Sequence, residues 1–160
     1  MSELAQRWLR RSLTIPGYFA ATALLLVALP LWLPAAWLAD RLRPGAATLP
    51  LASFALVYLL CECAGILASV WIWCAPPWGT GERRRRAFAR RNFALQVWWA
   101  TRLFGGAQRL LGFTVESEGD AALAGTPPLL LLRHSGTADT LIAASQLSDR
   151  HGHRFRDVLK

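Results

Sequence analysis

From Ser12 to Ala39 the chain runs without a single charged side chain, and a stretch of that kind is longer than the roughly 20 apolar residues needed to cross the hydrocarbon core of a bilayer. A second apolar run over 46–78 is interrupted only by Glu62. Between them, Asp40-Arg41-Leu42-Arg43-Pro44-Gly45 has the Pro-Gly chemistry of a turn. The expectation is a membrane anchor over 1–81, built as a hairpin of two hydrophobic helices at about 14–39 and 48–76. A cleaved signal peptide is the rival reading, but its apolar region would be shorter and would end in a small-x-small site. Here the run is long and ends Ala36-Trp37-Leu38-Ala39-Asp40, which favours retention. Pro30 and Pro34 each remove a backbone donor and leave two courses open: a full crossing, or a bend that keeps the segment in one leaflet.

Composition enters here because it chooses the partner of the charge. The sequence of 160 residues is 54% hydrophobic and 18% charged, too apolar for an ordinary soluble domain. Its formal charge of +8 sits beside apolar segments and no recognition module accompanies it, so an anionic membrane surface is expected and nucleic acid is not. Eight tryptophans point to the membrane–water interface as well. Cys61, Cys63 and Cys74 lie in one apolar stretch without the pattern of a zinc site, and are read as small buried hydrophobes; no metal is expected. Glu62 is expensive in lipid, and two readings stand for it: a functional carboxylate, or one protonated or paired with a neighbouring helix. His151 and His153 alternate in a polar stretch and read as solvated.

Basic residues fall in three groups: Arg7, Arg10 and Arg11 before the first run, Arg41 and Arg43 in the turn, and Arg83, Arg84, Arg85, Arg86, Arg90 and Arg91 after the second. The positive-inside rule then places both flanks in the cytoplasm and the turn outside. The last group is the candidate membrane-surface site. Residues 82–111 are expected to form a basic amphipathic interfacial helix, its periodic part over 87–111, weakened or broken at Gly105-Gly106. Phe93, Val97, Ala100, Phe104, Ala107 and Leu111 make one apolar stripe, and Arg91, Trp98, Arg102 and Arg109 fall opposite. Such a stripe packs on its own domain or lies in the interface; both readings remain.

Beyond residue 111 the character changes. Phe113 to Glu118 alternates as a strand does, Gly119-Asp120 begins a connection and Gly125-Thr126-Pro127-Pro128 ends it, and Leu129 to Leu132 is a continuous apolar run of the kind found in a strand covered on both faces. Ala138 to Leu147 reads as a helix and Arg154 to Lys160 as the start of another strand. The expected fold class is therefore α/β, truncated, over 112–160, preceded by the membrane hairpin.

At the end of Leu129–Leu132 stand Arg133-His134-Ser135-Gly136-Thr137-Ala138-Asp139-Thr140. Gly136 permits a turn, Thr137 is a good N-cap, and Asp139 in the first helical turn could accept a hydrogen bond from one ring nitrogen of His134. The other nitrogen would be free as a general base. Spacing alone leaves the ordinary alternative, a satisfied surface or core histidine.

The run Arg133 to Leu141, with its H-x-x-x-x-D block, resembles the first block of the glycerolipid acyltransferases of the 1-acyl-sn-glycerol-3-phosphate acyltransferase type. Arg109 to Gly119 resembles the family's lead-in, and the resemblance covers roughly 95–160. It implies transfer of a fatty acyl group from acyl-CoA or acyl-carrier protein, as co-substrate and without a cofactor, to the hydroxyl of a lysophospholipid. His134 matches the family's base and Asp139 the carboxylate that orients it, while Arg133, Ser135 and Thr137 are candidate substrate-binding residues. Two features depart from the family. Arg133 stands where asparagine is common, and the later phosphate-binding block is absent, so the chain is expected to be the N-terminal part of a longer enzyme. The resemblance and the charge pattern together imply a bacterial inner membrane with the catalytic part cytoplasmic. The alternatives are a non-catalytic membrane anchor or interaction subunit, and an inactive acyltransferase fragment; the oligomeric state is left open.

Overall fold

The computed structural model describes residues 3–116. Four helices lie among the described residues: α1 (Glu3–Val27), α2 (Leu29–Leu42), α3 (Thr48–Cys74) and α4 (Gly81–Leu111). They divide into two units, Met1–Pro76 and Pro77–Lys160.

In the first unit α3 packs against both α1 and α2. The first apolar run does not form the single helix expected over 14–39. It is two helices bent by 71° at Ala28. Pro30 explains the break, because it has no N–H to give the preceding turn, and it occupies the first turn of α2, where that N–H would be an orphan in any case. The chain closes around the gap. The Ala28 carbonyl accepts from Leu31 N at 2.9 Å and from Trp32 N at 3.0 Å, and the Trp32 indole Nε1 donates to the Leu25 carbonyl at 2.9 Å. Pro34 lies inside α2 and Pro16 inside α1, and neither ends its helix.

The second run matches its expectation closely, with α3 ending at Cys74. No side chain at Ala47 caps this helix. Instead Asp40 reaches across the connection, its Oδ1 accepting from Thr48 N at 2.8 Å and its Oδ2 from Leu49 N at 2.9 Å. Two orphan amides are thereby satisfied by a carboxylate placed where the helix dipole favours it. Pro50 sits in the first turn of α3, where its missing donor costs little.

The second unit is described through α4, which starts at Gly81 and runs without interruption through Gly105-Gly106 to Leu111. Gly112 stops it in the left-handed conformation, φ 72°, with its N–H donating to the Gln108 carbonyl at 3.0 Å, the usual glycine termination. Ala100, Leu103, Phe104 and Ala107 are buried.

The α/β expectation is overturned: the described residues are helical apart from connections, and no strand occurs among them. Phe113 to Glu116, read as the opening of a strand, is irregular chain. A four-residue alternation is a short signal, and a strand exists only through a ladder with a partner. The Phe113 side chain turns back on the helix, its ring 6.0 Å from that of Phe104 in an edge-on contact at 71°. The expected strands Leu129–Leu132 and Arg154–Lys160, and the helix Ala138–Leu147, lie outside the described residues.

Candidate functional site

α3 is long and apolar enough to cross a membrane, with a mean hydropathy of 2.0. At about 1.5 Å per residue its length exceeds the roughly 30 Å hydrocarbon core. α1 and α2 qualify only if the bent pair counts as one span. The uncharged part of each is shorter than that core, about 24 Å in α1 from Ser12 and about 16 Å in α2 to Ala39.

The surface of this unit is apolar where a soluble protein would be polar. Leu24, Val27, Leu31, Leu67, Val70 and Trp71 all stand exposed, which is the arrangement hydrocarbon demands of a helix and water penalises. Tryptophans mark both ends: Trp37 near the connection, with the Arg41 guanidinium 5.1 Å from its ring centre, and Trp71 and Trp73 at the far end of α3. Indole rings at both ends of an apolar segment are the sign of an interfacial belt.

Inside the unit α1 and α3 meet through polar groups. The Thr22 hydroxyl donates to the Tyr18 carbonyl at 2.7 Å and lies 3.2 Å from Cys63 Sγ; Thr22 is only 6% exposed. Tyr58 of α3 lies beside Tyr18 of α1 and beside Glu62, one turn further along α3. It belongs to a small polar cluster between two apolar helices, where such bonds hold helices together in the absence of a hydrophobic driving force. Of the three cysteines, Cys63 fits the expectation of a buried hydrophobe, Cys61 is half-buried and Cys74 is exposed.

Between the arms of the bend and the start of α3 lies an open apolar groove of about 560 Å³, floored by Ala28, Ala35, Ala36 and Ala52 and walled by Leu25 and Trp32. Small side chains on the floor keep it from being filled by the protein itself. Asp40 stands just past the uncharged run, and the Leu49 and Thr48 amides, Leu49 first, hold its carboxyl below the usual carboxylate range.

On α4 the candidate surface residues Arg83, Arg84, Arg85, Arg86, Arg90 and Arg91 are all exposed. Arg86 pairs with Glu82 at 3.0 Å one turn away. The apolar stripe is only partly as expected. Phe93 and Val97 are half-buried, Ala100, Phe104 and Ala107 are buried, and Leu111 is 39% exposed. Leu103, outside the expected stripe, is the most deeply buried large residue described, at 1% exposed. It stands three residues after Ala100 and four before Ala107, on the flank of the same stripe about 80° from its centre.

His134, Asp139, Arg133, Ser135 and Thr137 lie outside the described residues, so the proposed base and its carboxylate have no geometry here. Sequence reasoning also missed the Trp32 clamp and the Asp40 cap. Both join residues seven to nine positions apart across a break, beyond the reach of any local capping pattern. Comparison with protein-family models, with curated proteins and with solved structures returned no match.

Proposed function

We propose that this chain is a membrane-anchored acyltransferase component that serves the transfer of a fatty acyl group to a lysophospholipid such as 1-acyl-glycerol-3-phosphate. The observation that carries the reading is the run Arg133 to Leu141, with its histidine and aspartate in the H-x-x-x-x-D spacing, downstream of an apolar helix of membrane-crossing length. The proposed chemistry needs a lipid acceptor, and an anchor keeps the enzyme where lipid acceptors are. His134, held by Asp139, takes the proton of the acceptor hydroxyl as its oxygen attacks the thioester carbonyl of acyl-CoA or acyl-carrier protein. The new C–O bond forms as the C–S bond breaks, and the proton passes to the departing thiolate, so the product ester is reached without an acyl-enzyme. Arg133, Ser135 and Thr137 are assigned to the substrate.

The arginines after α3 outnumber those of the turn, which supports a cytoplasmic location for α4 and the catalytic block, at the inner membrane of a bacterium. The test is acyl transfer to lysophosphatidate in membranes expressing the natural open reading frame, with thioester donors of both kinds. His134→Ala is expected to lower the rate by about 10²–10⁴-fold, the usual worth of a general base. Equal activity in the variant sinks the assignment.

A second reading, a non-catalytic anchor, draws support from the wholly helical character of the described residues. It predicts that membranes carrying the chain show no acyl transfer above background with either donor.

A further inference from the structure

The arginines of α4 do more than crowd its first turns. Arg84, Arg91, Trp98, Arg102 and Arg109 are separated by seven, seven, four and seven residues. At 3.6 residues per turn these positions fall within about 40° of arc and run for about 37 Å along the helix. All four arginines are exposed and Trp98, in the middle, keeps 38% of its surface. The buried residues Ala100, Leu103, Phe104 and Ala107 centre on the opposite side of the same wheel, about 170° away. The apolar stripe of this helix is thus covered by protein in its second half, and an amphipathic helix lying stripe-down in lipid is not available there.

We infer that α4 docks on anionic phospholipid headgroups through the Arg84–Arg91–Trp98–Arg102–Arg109 face, the reverse of the orientation its apolar stripe suggests. The partner chemistry follows from the face itself. A straight row of guanidinium groups is matched by a plane of phosphates, which they bind as bidentate donors, and a half-exposed indole among them suits the headgroup layer. Chain connectivity supplies the proximity, since only residues 75–80 separate α4 from the apolar helix α3. Nucleic acid offers phosphates too, but a helix tethered six residues after an apolar helix of membrane-crossing length meets a lipid surface first. The inference rests on the membrane-anchoring reading above and deepens it. Arg102 and Arg109, well beyond the N-terminal cluster, become part of the surface, and Arg85 does not.

The experiment is arginine footprinting by phenylglyoxal with mass spectrometry, on the full chain reconstituted in nanodiscs. One set of discs is phosphatidylcholine alone and the other contains phosphatidylglycerol. In the anionic discs Arg84, Arg91, Arg102 and Arg109 are expected to react about fivefold more slowly than in the zwitterionic discs, the factor that corresponds to one basic residue at an anionic surface. Arg85 should be unchanged, and high salt should abolish the difference. Equal rates in the two discs, or protection of Arg85 to the same degree, overturns the inference. Stronger protection by a polynucleotide than by anionic discs overturns it in favour of a nucleic-acid face. Alkaline carbonate extraction of cell membranes carrying the same chain separates the two readings: a chain retained in the pellet but with unprotected arginines in the discs refutes this docking alone, whereas a chain released by carbonate refutes the anchor and the docking with it. Because wild-type protein is used throughout, no variant has to fold.

Discussion

The 71° bend at Ala28 makes a quantitative prediction. In the bent form Pro30 sits in the first turn of α2 at no cost, whereas in a straight helix through 28 it would occupy an interior position worth about 3 kcal/mol against alanine. The Trp32 indole bond to the Leu25 carbonyl adds about 1 kcal/mol, the scale of such bonds between membrane helices. Pro30→Ala should therefore move the balance between bent and straight forms by roughly a hundredfold towards straight, Trp32→Phe by about fivefold, and the double variant by the product if the two act independently. Spin labels at Leu13 and Leu38, both exposed, report the outcome as a distance by pulsed electron resonance in nanodiscs. The arms measured from Ala28 are about 22 Å and about 15 Å long, so the labelled backbone sites stand about 31 Å apart when bent by 71° and about 37 Å apart when straight. The double variant is expected to populate the longer distance. A distribution unmoved from that of the wild type would refute the local account and place the origin of the bend in the packing of α2 on α3.

Two further outcomes follow from the same structure. Asp40 caps α3 with its ionised carboxylate, and its folded-state pKa lies below the ordinary value of 3.8. Its contribution is therefore present above that value and lost as pH falls through the folded-state pKa. In acid titrations followed by circular dichroism, Asp40→Asn should remove part of the acid-induced loss of helix seen in the wild type, and identical titrations would contradict the cap. Leu103→Ala should destabilise the chain by about 2–5 kcal/mol, as deletion of a fully buried leucine does. Leu111→Ala, at a site 39% exposed, should cost clearly less; thermal melts in detergent compare the two, and equal shifts would mean that α4 buries a different face.

The apolar helices were legible in the residues because their signal is composition over a long window. An uncharged run from Ser12 to Ala39 and a run broken only by Glu62 have few ways to fold, since every backbone donor in lipid must be satisfied within the helix. The basic flank was legible for the same reason: six arginines between 83 and 91 are solvated or bound to anions whatever the fold. Phe113 to Glu116 was misread because four alternating residues satisfy a strand pattern by chance, and the competing contact, Phe113 on Phe104, depends on where α4 stops. Gly105-Gly106 was expected to weaken or break α4 on intrinsic preference, a penalty of about 1 kcal/mol each; the helix runs past both and stops only at Gly112. The buried residues Ala100, Leu103, Phe104 and Ala107 bracket the pair and offer the compensating packing.

By itself the sequence determined that the chain has an apolar helix able to cross a membrane and a basic flank beside it, because hydropathy and charge act residue by residue and need no neighbours. Only the tertiary structure decided three things. The first run is two helices, since Pro30 and Pro34 each permit a break and only the fold shows that the bend falls at Ala28, where Trp32 reaches back to Leu25. Glu62 lies beside a polar contact between helices, since Tyr58, one turn before it, meets Tyr18 only when α3 lies against α1. And α4 buries its apolar stripe around Leu103, which leaves the arginine face outward, since a helix with two dissimilar faces presents whichever one its own protein does not cover.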